Sequence, residues 1–377
     1  MLWYLKLESV KERYTKDLCE KWMPDAFEQA GMEYTPIEGL LTRDDIGVGH
    51  VLDAAGRPIY ALTQVAALIK RIDEIKDGDI IYLQDFFTPG IEGLFYALDQ
   101  YKKNVDVYAM QHAGCFDQHD FTFPMRWWMQ HYELLLSKYL AGVFVGSSVH
   151  KELLEAAGYY CPIYVVSLPF SKKHAEERRK AGTQILDGQC RTSNKKGAVI
   201  YTSRLDPEKN PLFMLEVARK YLETSTAHTW TLTTSGDKIR AAPEVISEIE
   251  VLLDLFGARF QIKIGLSKDQ YYAEMLHADI QFNSVLQDYV SWTLLEATFC
   301  DCKPVYPNYR SFPEILPTAA LYRPENVDDA LQCLMLTQDS VRDYSYLANL
   351  SDQGRLSIPT IMREQPPHTS PVWEEIP

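Results

Sequence analysis

Arg204 and Lys209 stand five residues apart in the segment Ser203-Arg-Leu-Asp-Pro-Glu-Lys-Asn-Pro. An apolar run, Ala198-Val-Ile, precedes them, and a helix-like run from Leu212 to Tyr221 follows. This order predicts a loop between the carboxyl end of a strand and the start of a helix. Open α/β sheets bind ligands at such crevices, and helix amino ends favour anions. The pair suits a diphosphate, since an arginine forks onto two oxygens and a lysine acts as a point charge. An ordinary exposed loop carries the same residue types, so the pair alone leaves both readings open.

A second set lies some eighty residues further on. Asp288 and Glu296 are eight apart in Asp288-Tyr-Val-Ser-Trp-Thr-Leu-Leu-Glu296-Ala-Thr-Phe-Cys-Asp-Cys-Lys-Pro304-Val305, and Phe312-Pro-Glu314 follows. If a helix starts at Trp292, Glu296 lies one turn inside it and Asp288 reaches the same cleft from a loop. Carboxylates so placed accept paired hydroxyl hydrogens, as ribose and hexose recognition requires. Taken singly, each is as readily a surface charge or a turn residue.

The ordered set resembles the second half of GT-B glycosyltransferases, most closely the large retaining family (family 4-like) that uses nucleotide-sugar donors. The resemblance implies an α/β chain with two Rossmann-like, doubly wound domains facing a central cleft. It implies that Arg204 and Lys209 bind the donor diphosphate, that Glu296 holds the ribose, and that Asp288 and Glu314 complete the donor site. Arg204, Lys209, Asp288 and His112 are then the catalytic set, with no metal and no cofactor beyond the nucleotide-diphosphate sugar, a UDP-sugar being favoured. The family's first Glu is Asp288 here. Ser203 and Lys303 replace two glycines, and Tyr289-Val-Ser-Trp replaces a glycine-rich loop.

In the amino half, apolar strand-like runs at Leu2–Leu5, 79–84, Val105–Met110, 141–148 and 163–166 alternate with helix-like runs, including one over 10–30 interrupted near Pro24. Such alternation predicts parallel βαβ units. His112 follows the third of these strands, where the resemblance places a histidine that bonds the donor sugar. Asp85-Phe-Phe-Thr-Pro-Gly is another strand-end loop, equally readable as a plain turn. The loop Gln111 to Phe121 also holds Asp117, His119 and Asp120; His119 reads best as structural, and a metal site is disfavoured because the His spacing matches no known ligand set. Were the reaction inverting, Asp117 or Asp120 would be the base. The following Phe121-Thr-Phe-Pro-Met-Arg126-Trp127-Trp reads either as helix core or as a platform for a flat acceptor. Asp117, Asp120, Arg126 and Trp127 are therefore the acceptor-side candidates.

Residues 171–196 carry eight Lys or Arg against three acids in a chain of net charge −14, and read as a basic connector. The expected division is an acceptor domain over 1–170, the connector 171–196, a nucleotide-sugar domain over 197–345 with strands at 198–201, 229–233, 261–264 and 280–282, and an extended, proline-rich tail over 346–377 that packs back on the first domain. Its 377 residues suffice for two domains. No run is long enough to span a membrane, there is no signal-peptide pattern, and the seven cysteines show no disulfide or zinc spacing, which together indicate a cytoplasmic protein. The overall acidity disfavours nonspecific polyanion binding but not a local basic face.

The reading is a glycosyltransferase (hexosyl- or pentosyltransferase) acting with retention. The favoured acceptor is a hydroxymethylated pyrimidine in double-stranded DNA, as in phage-type modification. Three alternatives stay open: the same chemistry on a glycan, lipid or small molecule; an inactive sugar-nucleotide-binding protein; an epimerase or phosphorylase on the same architecture.

Overall fold

The computed structural model describes residues 1–9, 13–42, 55–187, 195–234, 238–341 and 343–364. The chain divides into two compact units, one of residues 1–169 and 353–377 and the other of residues 170–352.

The first unit holds a six-stranded sheet. Its strands are β1 (Leu2–Leu5), β2 (Tyr34–Ile37), β3 (Ile80–Leu83), β4 (Asp106–Met110), β5 (Gly142–Val145) and β6 (Ile163–Val165), in the order β2-β1-β3-β4-β5-β6 with every pairing parallel. Parallel strands covered on both faces read as continuous apolar runs, and all four residues of β1 and of β5 are buried. The core joins Trp3 and Leu5 to Ile81, Leu83, Val107, Val143 and the inward residues of the flanking helices. Strand order reverses between β1 and β3, so the carboxyl ends of these two strands flank the switch point where such sheets bind ligands.

The helix expected near the amino terminus runs in three contiguous pieces, Tyr14–Asp17, a π-helical turn Leu18–Trp22, and Met23–Gln29, and the π-helical turn lies just before Pro24, where the proline interrupts the regular hydrogen-bond ladder. Residues 10–12 of that expected helix lie outside the described set. The carboxyl-terminal segment corrects an expectation: it is not extended but helical over Tyr346–Glu364, Pro359 included. Apolar residues recur at helical spacing through Leu347, Ile358 and Met362, all buried, and this stripe outweighs the proline. From this helix the buried Arg355 donates to the Trp22 carbonyl at 2.7 Å and to Asp25 at 3.0 Å. The rest of the expected tail, 365–377, is outside the described residues.

The second unit repeats the architecture. Its strands are β7 (Ala198–Tyr201), β8 (Thr229–Thr234), β9 (Phe260–Ile264), β10 (Ile280–Phe282), β11 (Lys303–Pro307) and β12 (Leu321–Tyr322), ordered β12-β11-β10-β7-β8-β9 and again all parallel. The reversal falls between β7 and β10. Residues 172–187 of the expected connector form a helix rather than a link. Gly182 lets this helix press on the Lys268–His277 helix, since a Cβ there would lie 2.9 Å from the Ala273 nitrogen. Residues 188–194 lie outside the described set.

Among the described residues no helix is long and apolar enough to cross a membrane. The six described cysteines are free and buried.

Candidate active site

In the second unit, the loop leaving β7 carries Arg204 and ends in a 3-10 turn, Pro207–Lys209. Asn210 then takes the left-handed conformation (φ 49°), which asparagine tolerates better than most residues, and Pro211 opens the next helix. Ser203 is not in the left-handed region, so a glycine is not needed for the backbone there, and its Oγ accepts from Asn283 Nδ2 at 3.4 Å. Lys303 likewise opens β11 without positive φ, and the left-handed position of that turn falls on Asp301 (φ 63°).

Lys209 is buried and its Nζ lies 2.6 Å from Asp288 Oδ1 and 3.7 Å from Glu208. Asp288 follows β10, so this ion pair spans the switch point. Arg204 pairs with Asp206 and, at 2.7 Å, with Glu208. The structure therefore brings Arg204, Lys209 and Asp288 together. The two cations, however, sit among three carboxylates. Any anion binding at Arg204 would have to take it from Asp206, whose side chain is 25% exposed and can turn into solvent. Asp206→Asn is accordingly expected to tighten nucleoside diphosphate binding severalfold in a calorimetric titration; weaker binding would show that Asp206 supports the site.

The segment 285–291, in which Tyr289-Val-Ser stands where the resembled family has a glycine-rich loop, is packed. Tyr289 is buried, its carbonyl accepts from Ser311 Oγ, and Arg310 donates to the Tyr289 hydroxyl at 2.9 Å and the Leu286 carbonyl at 3.0 Å. Trp292–Phe299 then forms the expected helix, with Glu296 one turn inside and buried. Glu296 forms an ion pair with Lys268, which also lies 4.8 Å from the Tyr271 ring centre. The Lys268 ammonium thus balances the charge of a buried carboxylate whose oxygens are acceptors for hydroxyl hydrogens. Removing one partner of a buried pair leaves an uncompensated charge. Lys268→Met is thus expected to destabilise the protein by about 3 kcal/mol, read by urea unfolding, whereas an unchanged midpoint would reject this role. Glu314 is exposed in the short Phe312–Ile315 helix.

In the first unit the strand ends carry an ionic cluster. Arg57, 4% exposed, donates to Glu8 at 2.8 Å, to Asp85 at 3.0 Å and to the Phe87 carbonyl at 2.8 Å. Glu8 follows β1 and Asp85 follows β3, so Arg57 ties together the two sides of this sheet's switch point. The carboxylates outweigh the cost of burial and raise the guanidinium's pKa. Asp85 also accepts from the Phe87 nitrogen at 3.0 Å, so its loop is fixed rather than a loose turn.

His112 leaves β4 beside this cluster. Its Nε2 stands 3.0 Å from the Gln84 carbonyl oxygen, which can only accept, so Nε2 carries the proton. Burial, reinforced by the Arg57 charge, lowers its pKa from the ordinary value near 6.5, against the opposing pull of Asp85. The ring is neutral at pH 7, and its Nδ1 lone pair can accept a hydroxyl hydrogen. The folded state binds fewer protons than the unfolded one below that ordinary value, so this contribution to stability is present above about pH 6.5 and is lost as pH falls below it. His112→Gln should flatten the acid limb of the stability profile; an unchanged limb would contradict the neutral-ring assignment.

The loop after His112 is held by Glu133, which accepts from the Cys115 nitrogen at 2.9 Å and the Tyr159 hydroxyl at 2.7 Å. A Cβ on Gly114 would lie 2.6 Å from Gln111 Nε2 and 2.9 Å from Glu133, so a larger residue there would have to displace the ends of both side chains. Asp117 accepts from the His119 nitrogen at 2.9 Å, and Asp120 from the Thr122 nitrogen at 2.8 Å and the Thr122 hydroxyl. Both carboxylates build turns, which favours structural duty over general-base work. Arg126 lies over the Phe116 and Phe123 rings at 5.3 and 5.9 Å, and Trp127 is 77% exposed. Among the described residues no group of three or more His, Cys, Asp or Glu side chains is arranged to hold a metal ion.

Solved structures share this double-sheet architecture along almost the whole chain. HepE of Anabaena, solved with UDP, is 12% identical and aligns over 97% of each chain with a TM-score of 0.60. OtsA, solved in its apo form, is 11% identical over 96% of this chain and 97% of its own, with a TM-score of 0.66. Sucrose-phosphate synthase of Thermosynechococcus elongatus is 12% identical over 94% and 93%, with a TM-score of 0.62. The fold is that of the GT-B glycosyltransferases. No protein-family model matches the chain. In sequence it is similar to the tRNA-queuosine alpha-mannosyltransferase of Drosophila melanogaster, 27% identical over 128 residues. That match covers 34% of this chain and only 33% of the fly protein.

Sequence reasoning missed Glu8, Arg57 and Lys268 as site residues. Glu8 could have been found from its place just beyond an apolar strand. Nothing in the sequence pairs Arg57 with residues 49 and 28 positions away.

Proposed function

We propose that this protein is a glycosyltransferase that moves a sugar from a nucleotide-diphosphate sugar, a UDP-sugar by preference, to the hydroxyl of a modified nucleobase. The observation that carries the reading is the Arg204–Lys209–Asp288 cluster across the switch point of the second sheet. Preorganised cations at a developing diphosphate stabilise the departing charge. Arg204 and Lys209 take the diphosphate oxygens, and Glu296 accepts the ribose hydroxyl hydrogens. Asp288 and the neutral His112 accept hydroxyls of the transferred sugar, and Glu314 is a donor-side residue of lesser weight.

The resemblance to the retaining family supports transfer with retention. The bond from the anomeric carbon to the β-phosphate oxygen breaks, the bond to the acceptor oxygen forms on the same face, and the acceptor proton passes to the released diphosphate. No metal is required in this scheme, because the lysine and arginine supply the positive charge.

The favoured acceptor is a hydroxymethylated pyrimidine in DNA, as in phage-type modification, and the reaction is placed in the cytoplasm. The exposed Trp127 beside the ring-stacked Arg126 supports a flat acceptor. The similarity to a tRNA-queuosine mannosyltransferase favours a second acceptor, a modified nucleoside in tRNA. Both are tested by incubating the protein with UDP-glucose or GDP-mannose and either a 5-hydroxymethylpyrimidine oligonucleotide or bulk tRNA, then weighing the digested nucleosides. A gain of one hexose on either substrate supports the class and names the acceptor. Sugar transfer to a glycan or lipid with none to nucleic acid would overturn the acceptor assignment, and no donor turnover at all would favour a binding protein.

A further inference from the structure

We propose that the exposed face of the Arg126–Tyr139 helix in the first unit is a stacking platform for a single strand of nucleic acid. The proposal rests on the acceptor reading above for the class of partner, and on the following features for its place. This helix begins where the loop carrying His112 ends, at the carboxyl edge of the first sheet. Its solvent face is unusual for this acidic chain, which has 52 Asp and Glu against 38 Lys and Arg. No exposed position between 126 and 139 is a carboxylate; the helix's one acid, Glu133, is turned inward and 1% exposed. The outward positions are instead aromatic and cationic. Trp127 is 77% exposed, Tyr139 48% and Trp128 37%, with Arg126 and Lys138 exposed among them.

These groups are held in presenting positions. The Arg126 guanidinium lies over Phe116 and Phe123, the Lys138 ammonium is 4.5 Å from the Tyr160 ring centre, and Tyr139 stacks on Phe95 at 4.8 Å. Rings interleaved with cations along a helix about 21 Å long offer what a strand of nucleic acid needs: π-faces for successive bases and positive charge for the phosphates. A membrane-surface helix segregates a wide apolar face of Trp, Phe and Leu from its cations, whereas here Lys138, eleven residues and so about three turns from Trp127, falls on the same side as that ring. The role is to hold the strand on either side of the acceptor base while the sites described above act on that base.

The test is fluorescence anisotropy with labelled oligothymidylate and oligouridylate, which separates DNA from RNA, beside co-sedimentation with anionic lipid vesicles. The wild-type protein should bind at least one oligonucleotide, less tightly as salt rises. Trp127→Ala should weaken that binding by roughly 5- to 150-fold, the range for loss of one stacked base. Lys138→Glu should weaken it and reduce the salt dependence. The thermal shift given by UDP should survive both changes, so that a failed platform and a failed donor site give different results. No oligonucleotide binding by the wild type, or binding by Trp127→Ala as tight as wild type, would overturn the proposal. Vesicle binding that Trp127→Ala abolishes, without oligonucleotide binding, would overturn it in favour of a lipid surface.

Discussion

A Lys209→Met protein is expected to lose about two to three orders of magnitude in donor turnover, the usual effect of removing one preorganised group that stabilises developing charge. Lys209 is buried at the switch point of the second sheet, 2.6 Å from Asp288. Methionine keeps most of the side chain's volume and removes only the charge. The loss must be separated from misfolding, because Asp288 and Glu208 both depend on this ammonium. A Lys209→Met, Asp288→Asn double variant removes both members of the pair and should recover much of any lost stability while remaining inactive. Recovery of turnover together with stability would show that Lys209 is a structural residue alone.

Arg57→Met is expected to destabilise the protein by roughly 3 kcal/mol, the low end for breaking a buried ion pair because both carboxylates keep some access to water. Arg57 is 4% exposed and binds Glu8, Asp85 and the Phe87 carbonyl at once. Without it, two carboxylates from adjacent strand ends repel each other beside His112. The same change removes a positive neighbour that helps to keep the His112 pKa low, so the folded and unfolded values draw together and the His112 share of the acid limb should become shallower. Denaturant unfolding across pH measures both effects. An unchanged midpoint at pH 7 would mean that the cluster does not hold the strand ends together.

Much of this was legible because parallel sheets write themselves as apolar runs ending in polar loops. Leu2–Leu5, Val105–Met110 and Ala198–Tyr201 are such runs, and the residues just beyond them, His112 and Arg204, are where the structure gathers its charged groups. Three strands did not announce themselves. β2 and β11 contain Pro36, Pro304 and Pro307, and proline argues against a strand unless its missing N–H is unneeded; β12 is only two residues long. The carboxyl-terminal helix was hidden for a related reason, since Pro359 and nearby polar residues masked the buried stripe that includes Leu347 and Met362.

The ionic partners were the least legible part. Arg204 and Lys209 stood out as two cations on a loop, but the carboxylates that occupy them come from their own turn and from another strand end. Such pairings depend on strand order, and β10 lies beside β7 only because the sheet reverses there. Arg57 shows the same limit more sharply. It opens a helix remote in sequence from both of its carboxylates, and only the placement of β1 beside β3 brings them within reach.

The most direct test of the central claim is calorimetric titration of UDP, GDP and ADP into the wild-type and Arg204→Ala proteins. Saturable binding of one of these nucleotides, UDP by preference, that is lost in Arg204→Ala at unchanged melting temperature is the predicted result. Binding by Arg204→Ala as tight as wild type, or no binding of any nucleoside diphosphate by the wild type, would contradict the assignment of the second unit as the donor site.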